Sequence, residues 1–406
     1  MKIAVIINSN MSTGGWRYVA LLLLALLENI PNLFIDIYTS AYNSELHDVS
    51  RHERVRVFHK RFKRYIPKQK CRFKILNNCI NHIRRAIKAL PNVLLRKQLL
   101  QEKYDLCFYP WPYGSEPIEV DIPMVFVPHD FTLSHFFSLS GYQQSIAMQV
   151  YALLGKFFAA GNAIVSTPFI KDEMLYRFPE HSEKINVIYL SKLNAYSVLS
   201  TQQISNLLIK YHIHDNYILW AHNNAPHKNL GQLLGAFYYL KQKYPSLKLL
   251  LTGHGTGNFR LKITSRYYAD YVGENDDWDI RGLGEIPTDD YSAVLQGASA
   301  VVTTSLCEAG NGSGLDAWSM AVPVAMSNIP AFQQQLMRLD VKAELFDPRN
   351  DKDIADAISR ILDNPSLARK NAQYSKIALE KYTWEHVAKQ YAEVFSETIA
   401  SAKHKN

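Results

Sequence analysis

Between Ser305 and Val324 the chain reads Ser-Leu-Cys-Glu-Ala-Gly-Asn-Gly-Ser-Gly-Leu-Asp-Ala-Trp-Ser-Met-Ala-Val-Pro-Val, which sets two carboxylates, Glu308 and Asp316, eight positions apart. Gly310, Asn311, Gly312, Ser313 and Gly314 lie between them. The apolar run from Ala300 to Thr304 predicts a buried strand, and the pattern from Leu315 to Ala321 a helix that begins in the glycine turn. A helix N-terminus presents free N–H groups and a partial positive charge, which suits a phosphate, and glycines let a pyrophosphate approach the backbone. Two carboxylates can each accept from a vicinal diol, one on a sugar and one on a ribose. The spacing therefore predicts a nucleotide-sugar site. A plainer account of the same residues has Asp316 complementing the helix dipole and Glu308 as a solvated strand end.

Three further loops carry polar groups where a strand ends. Gly14 and Gly15 follow an opening strand and precede a helix, although the three spaced glycines of a dinucleotide fingerprint are absent. His129 and Asp130 follow the apolar run 124–128, where His129 can donate to a sugar hydroxyl or where the pair simply closes a turn. Ala221 to Leu230 holds His222, His227 and Lys228, and Lys228 is placed as a point charge for a diphosphate or is merely solvated. Thr252 to Gly257 adds a glycine-rich strand end that reads as a tight turn facing the same cleft.

Strand-like runs alternate with helical ones throughout, the pattern of parallel sheets covered by helices. Expected strands are 2–8, 33–38, 106–109, 124–128, 163–167 and 185–189 in a first half, and 217–221, 248–252, 278–283, 300–304, 323–326 and 343–346 in a second. A helix is expected over about 17–28, and the polar stretch 191–215 separates the halves.

At 406 residues, with 47% hydrophobic and 12% aromatic residues, the chain can fill two cores and is not a disordered protein. Cysteines at 71, 79, 107 and 307 have neither zinc nor redox spacing, which points to a reducing compartment. Met1 opens directly on a strand with no charged leader, and the longest apolar run, Val19 to Leu27, is too short for a bilayer. A cytoplasmic location is expected. The formal charge of +8 is uneven: residues 51–103 carry 17 Lys and Arg against Glu53 and Glu102. Phe58, Phe62, Tyr65, Ile66, Phe73, Ile75, Ile80, Ile83 and Ile87 interleave with these cations. Such an amphipathic stretch fits an anionic membrane surface or an acidic acceptor, at the inner face of the cell membrane; a solvated basic face is the alternative. No RNA-binding, helix-turn-helix or zinc-finger pattern supports nucleic acid.

Taken together, the Gly-Gly loop, His129-Asp130, Ala163 to Lys171, Lys184 to Ile188, Lys228-Asn229-Leu230, Glu308 with Asp316, Pro323-Val324 and Ser327 to Pro330 resemble glycosyltransferase family 4, the group 1 type of retaining GT-B enzymes. The resemblance spans nearly the whole chain and extends to Tyr382 to Lys389, similar to the family's final helix. It implies an α/β fold of two Rossmann-like domains facing across a cleft: 1–196, completed by about 385–406, and 197–384. It further implies that Glu308 contacts the transferred sugar, Asp316 the ribose, Lys228 the diphosphate, Gly14 and Gly15 the donor phosphate or the acceptor, and His129 the reacting sugar. The turn Gly310, Asn311, Gly312, Ser313, Gly314 belongs to the donor site.

The implied activity is transfer of a hexose, mannose first, from a nucleoside diphosphate sugar to a glycan or lipid-linked acceptor with retention, in surface polysaccharide assembly. No cofactor or metal is implied, and Asp277-Trp-Asp279 precedes a predicted strand where a metal motif would follow one. The chain departs from the family in carrying Asp316 for glutamate, Asn223 where an arginine is usual, and Ala309-Gly310-Asn311 for Gly-Phe-Gly. A sugar-nucleotide epimerase or hydrolase on the same fold, and a non-enzymatic basic binding protein with a degenerate site, are the competing readings.

Overall fold

The computed structural model describes residues 1–7, 11, 13–40, 43–59, 93–113, 116–129, 141–192, 196–257 and 279–403. Most of the basic segment (60–92), together with Asp130 and Asp277, lies outside the described residues.

Two all-parallel sheets form the frame. The first contains β1 (Lys2–Ile7), β2 (Phe34–Thr39), β3 (Val55–His59), β4 (Leu106–Tyr109), β5 (Met124–Phe126), β6 (Asn162–Val165) and β7 (Ile185–Val187), in the order β3-β2-β1-β4-β5-β6-β7. The second contains β8 (Tyr217–Ala221), β9 (Lys248–Thr252), β10 (Ile280–Gly284), β11 (Ala300–Thr303), β12 (Val324–Ser327) and β13 (Glu344–Phe346), ordered β10-β9-β8-β11-β12-β13. Both are doubly wound Rossmann-like sheets, covered on two faces, so their strands are continuous apolar runs with few exposed positions. In such sheets ligands bind beyond the strand carboxyl ends where the winding reverses. Here those points fall between β1 and β4 and between β8 and β11.

One strand was not anticipated. β3 alternates cations with apolar residues and forms an edge, with no fully buried position. Its charge is partly structural. The Arg56 guanidinium grips the buried Asp36 carboxylate through Nε and Nη2 at 2.8 and 2.5 Å and also reaches Glu102 at 2.8 Å. Arg54 donates to the carbonyls of Ile30 and Leu27, closing the end of the first helix. Some of the cations counted in 51–103 are therefore tied into the first domain.

The helix Thr13–Asn29 starts four residues earlier than expected and is apolar almost all round. It packs against both the first sheet and the helix Trp384–Lys403, so little of it meets solvent, which removes the polar side that a surface helix keeps. That last helix completes the first core. Phe395 packs on Phe108 at 5.1 Å between ring centroids, and the Tyr391 and Tyr18 hydroxyls are 2.8 Å apart. The chain reaches this position after Ser191 Oγ donates to Tyr382 O at 2.6 Å and Trp384 Nε1 to Lys192 O at 2.8 Å. The second domain keeps its own cores on the two faces of its sheet. Among the described residues no helix is long and apolar enough to cross a membrane.

Because Phe395 is fully buried against the first sheet, Phe395→Ala is expected to cost about 3–5 kcal/mol. Tyr391→Phe, which removes one buried hydrogen bond, should cost about 1 kcal/mol. Urea unfolding followed by tryptophan fluorescence measures both. Equal small losses would mean that the C-terminal helix is not part of the first core.

Candidate active site

At the second switch point the loops after β8 and β11 are sewn together by backbone. Leu306 N–H donates to His227 O at 2.8 Å, and Thr304 Oγ1 to Lys228 O at 2.9 Å. Thr304 in turn accepts from Trp220 Nε1 at 3.2 Å. Pro226 starts a short turn that ends at Asn229 in the left-handed region (φ 58°), which swings Lys228 towards the β11 loop. As a result Lys228 and Glu308 form an ion pair, with side chains only 15% and 14% exposed. Sequence reasoning assigned them separate ligand roles; the structure places each against the other. Beside them, the buried Nε2 of His222 and Oγ of Ser305 have no hydrogen-bond partner among the described residues. Burial, then the neighbouring Lys228 and His227, push the His222 pKa well below its ordinary value, so the ring is neutral at neutral pH.

The glycine turn differs from expectation in its register. The helix runs Gly312–Ser319, three residues earlier than predicted, and Asn311 is its N-cap. Asn311 Oδ1 accepts Gly314 N–H at 2.8 Å, while Asn311 N–H donates to Gln335 Oε1 at 2.7 Å. Asn311 is thus buried, with its side chain engaged by the fold. Gly314 is required for the same reason: a Cβ there would sit 2.7 Å from Asn311 Nδ2. Among the described residues, Gly312, by contrast, has nothing within 4 Å of where its Cβ would be, and Gly310 has the Gln335 side chain at 3.8 Å. Ser313 donates to Ala221 O at 2.5 Å, binding the helix start to the end of β8.

Asp316, one turn into that helix, is buried and accepts Tyr196 Oη at 3.1 Å. Tyr291 stands near enough for the Asp316 charge to act on it. Burial first, and then the Asp316 charge, hold both phenols well above the usual tyrosine range. Asp316, Ser313, His222, Asn223, Tyr196, Tyr291, Gly253 and His254 line a cleft of about 620 Å³ together with Gly14 and Arg17 of the first domain. The cleft therefore lies between the carboxyl ends of the two sheets, and its volume suits a small ligand.

On the first-domain side Gly14 is exposed, with open space where a Cβ would be. Gly15 serves packing: a Cβ would meet Met11 at 3.1 Å and Trp111 at 3.2 Å. His129, after β5, stands between Trp111 and Tyr18, at 4.5 and 4.9 Å between ring centroids. Its Nε2 lies 2.8 Å from Pro110 O, a pure acceptor, which places a proton on Nε2. His129 is not among the residues lining the cleft. Arg17, Tyr196 and Tyr291 were missed by sequence reasoning. None sits in a motif, and each enters the cleft from a different part of the fold.

Asp279 of the Asp-Trp-Asp motif lies at the amino end of β10, where Lys241 and Lys248 approach it at 2.7 and 3.3 Å. It belongs to a structural ion cluster away from the ligand-binding edge of the sheet. Among the described residues no group of three His, Cys, Asp or Glu side chains is placed to hold a metal ion.

Residues 211–378 match the family "Glycosyl transferases group 1". The phosphatidyl-myo-inositol mannosyltransferase of Mycobacterium tuberculosis is 26% identical over 187 residues, 44% of this chain and 46% of that relative, so the match spans less than half of its length. Among solved structures, a glycosyltransferase from Rickettsia africae superposes with a TM-score of 0.68 at 15% identity, over 98% of each chain. Anabaena HepE in complex with UDP-glucose gives 0.67 at 17% identity, over 98% of this chain and 100% of that one. At such identities the likeness establishes the GT-B fold.

The neutral His222 has a consequence for stability. An unfolded histidine takes up a proton near pH 6.5, whereas His222 in the fold resists it, so stability is full above that pH and declines as pH falls below it. The decline is expected to be about 1 kcal/mol per pH unit. Urea midpoints between pH 7.5 and 5.5 should fall less for His222→Asn than for wild type, and parallel slopes would place this histidine in solvent.

Proposed function

From a GT-B chain whose residues 211–378 belong to the group 1 glycosyltransferases, we propose a hexosyltransferase that takes its sugar from a nucleoside diphosphate donor held in the interdomain cleft. The observation that carries this reading is the convergence at one switch point of Lys228, Glu308, the start of the Gly312–Ser319 helix and the buried Asp316. In this reading Asp316 takes the ribose, and the diphosphate lies by Gly312 and Lys228 with Gly14 opposite. Glu308 then holds hydroxyls of the transferred sugar, and His129 stands behind the sugar on the acceptor side. A diphosphate competes with Glu308 for Lys228, so donor binding itself releases the carboxylate for the sugar.

The reaction breaks the bond between the anomeric carbon and the diphosphate oxygen and forms one to the acceptor hydroxyl oxygen. The leaving phosphate takes the acceptor's proton, and the helix N-terminus and Lys228 stabilise its growing charge. Attack on the face from which the phosphate leaves gives retention. UDP-glucose in the Anabaena structure and the mannosyl transfer named for the mycobacterial relative support a nucleotide hexose; GDP-mannose is the first donor to test. The epimerase or hydrolase reading calls for further acid and base groups at the anomeric carbon. Glu308 is the one carboxylate this reading puts at the sugar, which favours transfer.

The acceptor proposed is a glycan or lipid-linked sugar presented at an anionic membrane surface. Residues 51–103 carry 15 more positive than negative charges, and each cation near such a surface contributes about 1 kcal/mol.

Two experiments check these points. Glu308→Ala should lower transfer from the active donor about 100-fold or more, because a misplaced sugar alone costs that much, and transfer by wild type should persist in excess EDTA. Near-normal turnover of the variant removes Glu308 from the site, and rescue by manganese after chelation contradicts the metal-free mechanism. For the membrane, sedimentation with phosphatidylserine vesicles should be strong at low salt and lost near 1 M, where the Debye length is about 3 Å. Arg61, Lys63 and Arg64 changed together to glutamate should weaken it. Equal recovery of both proteins would favour a soluble acceptor.

A further inference from the structure

A vicinal diol is held best by two acceptors side by side. Glutamate offers both carboxylate oxygens at the end of a side chain one methylene longer than aspartate. Asp316 is shorter, and its Oδ2 already accepts the Tyr196 hydroxyl at 3.1 Å. A phenol that donates its single proton keeps its oxygen lone pairs for another donor. We propose that Tyr196 is a specificity-determining residue of the donor site: its phenol oxygen and the Asp316 carboxylate together form the acceptor pair for the ribose 2′,3′-diol of a nucleoside diphosphate. The inference rests on the donor-site reading above and adds the group that makes a short carboxylate sufficient.

The surroundings of the pair suit this role. Tyr196 and Asp316 line the same cleft. Tyr291 lines the cleft from a second helix and packs against Tyr196 at 5.6 Å between centroids, so the Tyr196 ring is fixed from behind. Both phenols stay protonated throughout the neutral range because burial and the adjacent carboxylate oppose ionisation. The Tyr196 proton is therefore committed to Asp316, and its oxygen is left as an acceptor. Tyr196 belongs to the segment that joins the two sheets, between β7 and β8, while Asp316 belongs to the second. The acceptor pair thus reads the ribose with one group from the connecting chain and one from the nucleotide domain.

The test is titration calorimetry of the full chain with UDP and GDP, and with the 2′-deoxy and 3′-deoxy forms of whichever binds. Wild type is expected to bind the ribonucleotide about tenfold more tightly than either deoxy form, the usual size of a well-formed hydrogen bond in a buried site. In Tyr196→Phe the penalty for losing one of the two hydroxyls should fall to within about twofold, while the other persists. Tyr196→Phe combined with Asp316→Glu should restore the lost penalty, because glutamate supplies both acceptors itself. Uniform weakening of all three nucleotides in Tyr196→Phe, with both penalties intact, would make the tyrosine purely structural and overturn the proposal. Equal affinity of wild type for ribo and deoxy forms would also overturn it, leaving the donor site itself in place. Failure of wild type to bind either UDP or GDP would instead reject the donor-site reading.

Discussion

The buried Asn311 cap is the constraint on which the site depends. Its side chain lies under Gly314, accepts that residue's N–H, exchanges hydrogen bonds with Thr303 at the end of β11, and contacts Met326 Sδ at 3.3 Å. Its backbone is tied to Gln335 on the following helix. An asparagine buried this deeply must have its polar atoms paired, and pairing them fixes where the helix begins. Once the start at Gly312 is fixed, Ser313 falls on the Ala221 carbonyl, and Asp316 faces Tyr196 one turn later. Glu308, between the strand end and the cap, is directed at Lys228. A single polar side chain therefore sets the mutual positions of both carboxylates and the N-terminal N–H groups between them.

The two switch points contribute unequally to the cleft. The second supplies nearly all of the charge and polarity. The first supplies Gly14 and Arg17, with a packed aromatic cluster of Trp111, Tyr18 and His129 in the domain beside them. The last helix holds that cluster in place, because Tyr18 is bonded to Tyr391 and the core beneath it is closed by Phe395. Its connection to the second domain, through Tyr382, Trp384 and the 191–192 backbone, makes the C-terminal helix a structural bridge between the two domains. The cationic character near the β8 loop stays modest. Asn223 stands where an arginine is usual, His222 is kept neutral, and Lys228 is balanced by Glu308. Arg17, reaching in from the opposite domain, adds positive charge to the wall that holds Asp316.

Much of the fold was legible because parallel strands are continuous apolar runs. All the runs that read as strands, from Lys2 onwards, are strands in the structure, shifted by a residue or two. β3 was hidden because an edge strand with alternating arginines reads as a charged surface. The helix starts were misplaced for a local reason. Glycine lowers helix propensity, so Gly14-Gly15 and Gly312-Ser313-Gly314 read as loops, yet tertiary packing puts both inside first turns. In the candidate site, the placement of Lys228, Glu308 and Asp316 about one switch point was legible because each follows a strand end. It was not legible for Arg17, Tyr196 and Tyr291, which lie in no pattern and approach Asp316 only after the chain has folded. His129 and Gly15 show the converse, residues with a suggestive placement whose observed contacts are largely those of packing.

The central claim is that the cleft binds a nucleoside diphosphate sugar, and a thermal unfolding screen of wild type against GDP-mannose, UDP-glucose and a dTDP-hexose tests it most directly. A donor present at a hundred times its dissociation constant is expected to stabilise the folded chain by about 2.7 kcal/mol, with the shift abolished in Asp316→Ala. Unchanged melting with all three sugars at millimolar concentration, in a protein that unfolds cooperatively, would contradict the account.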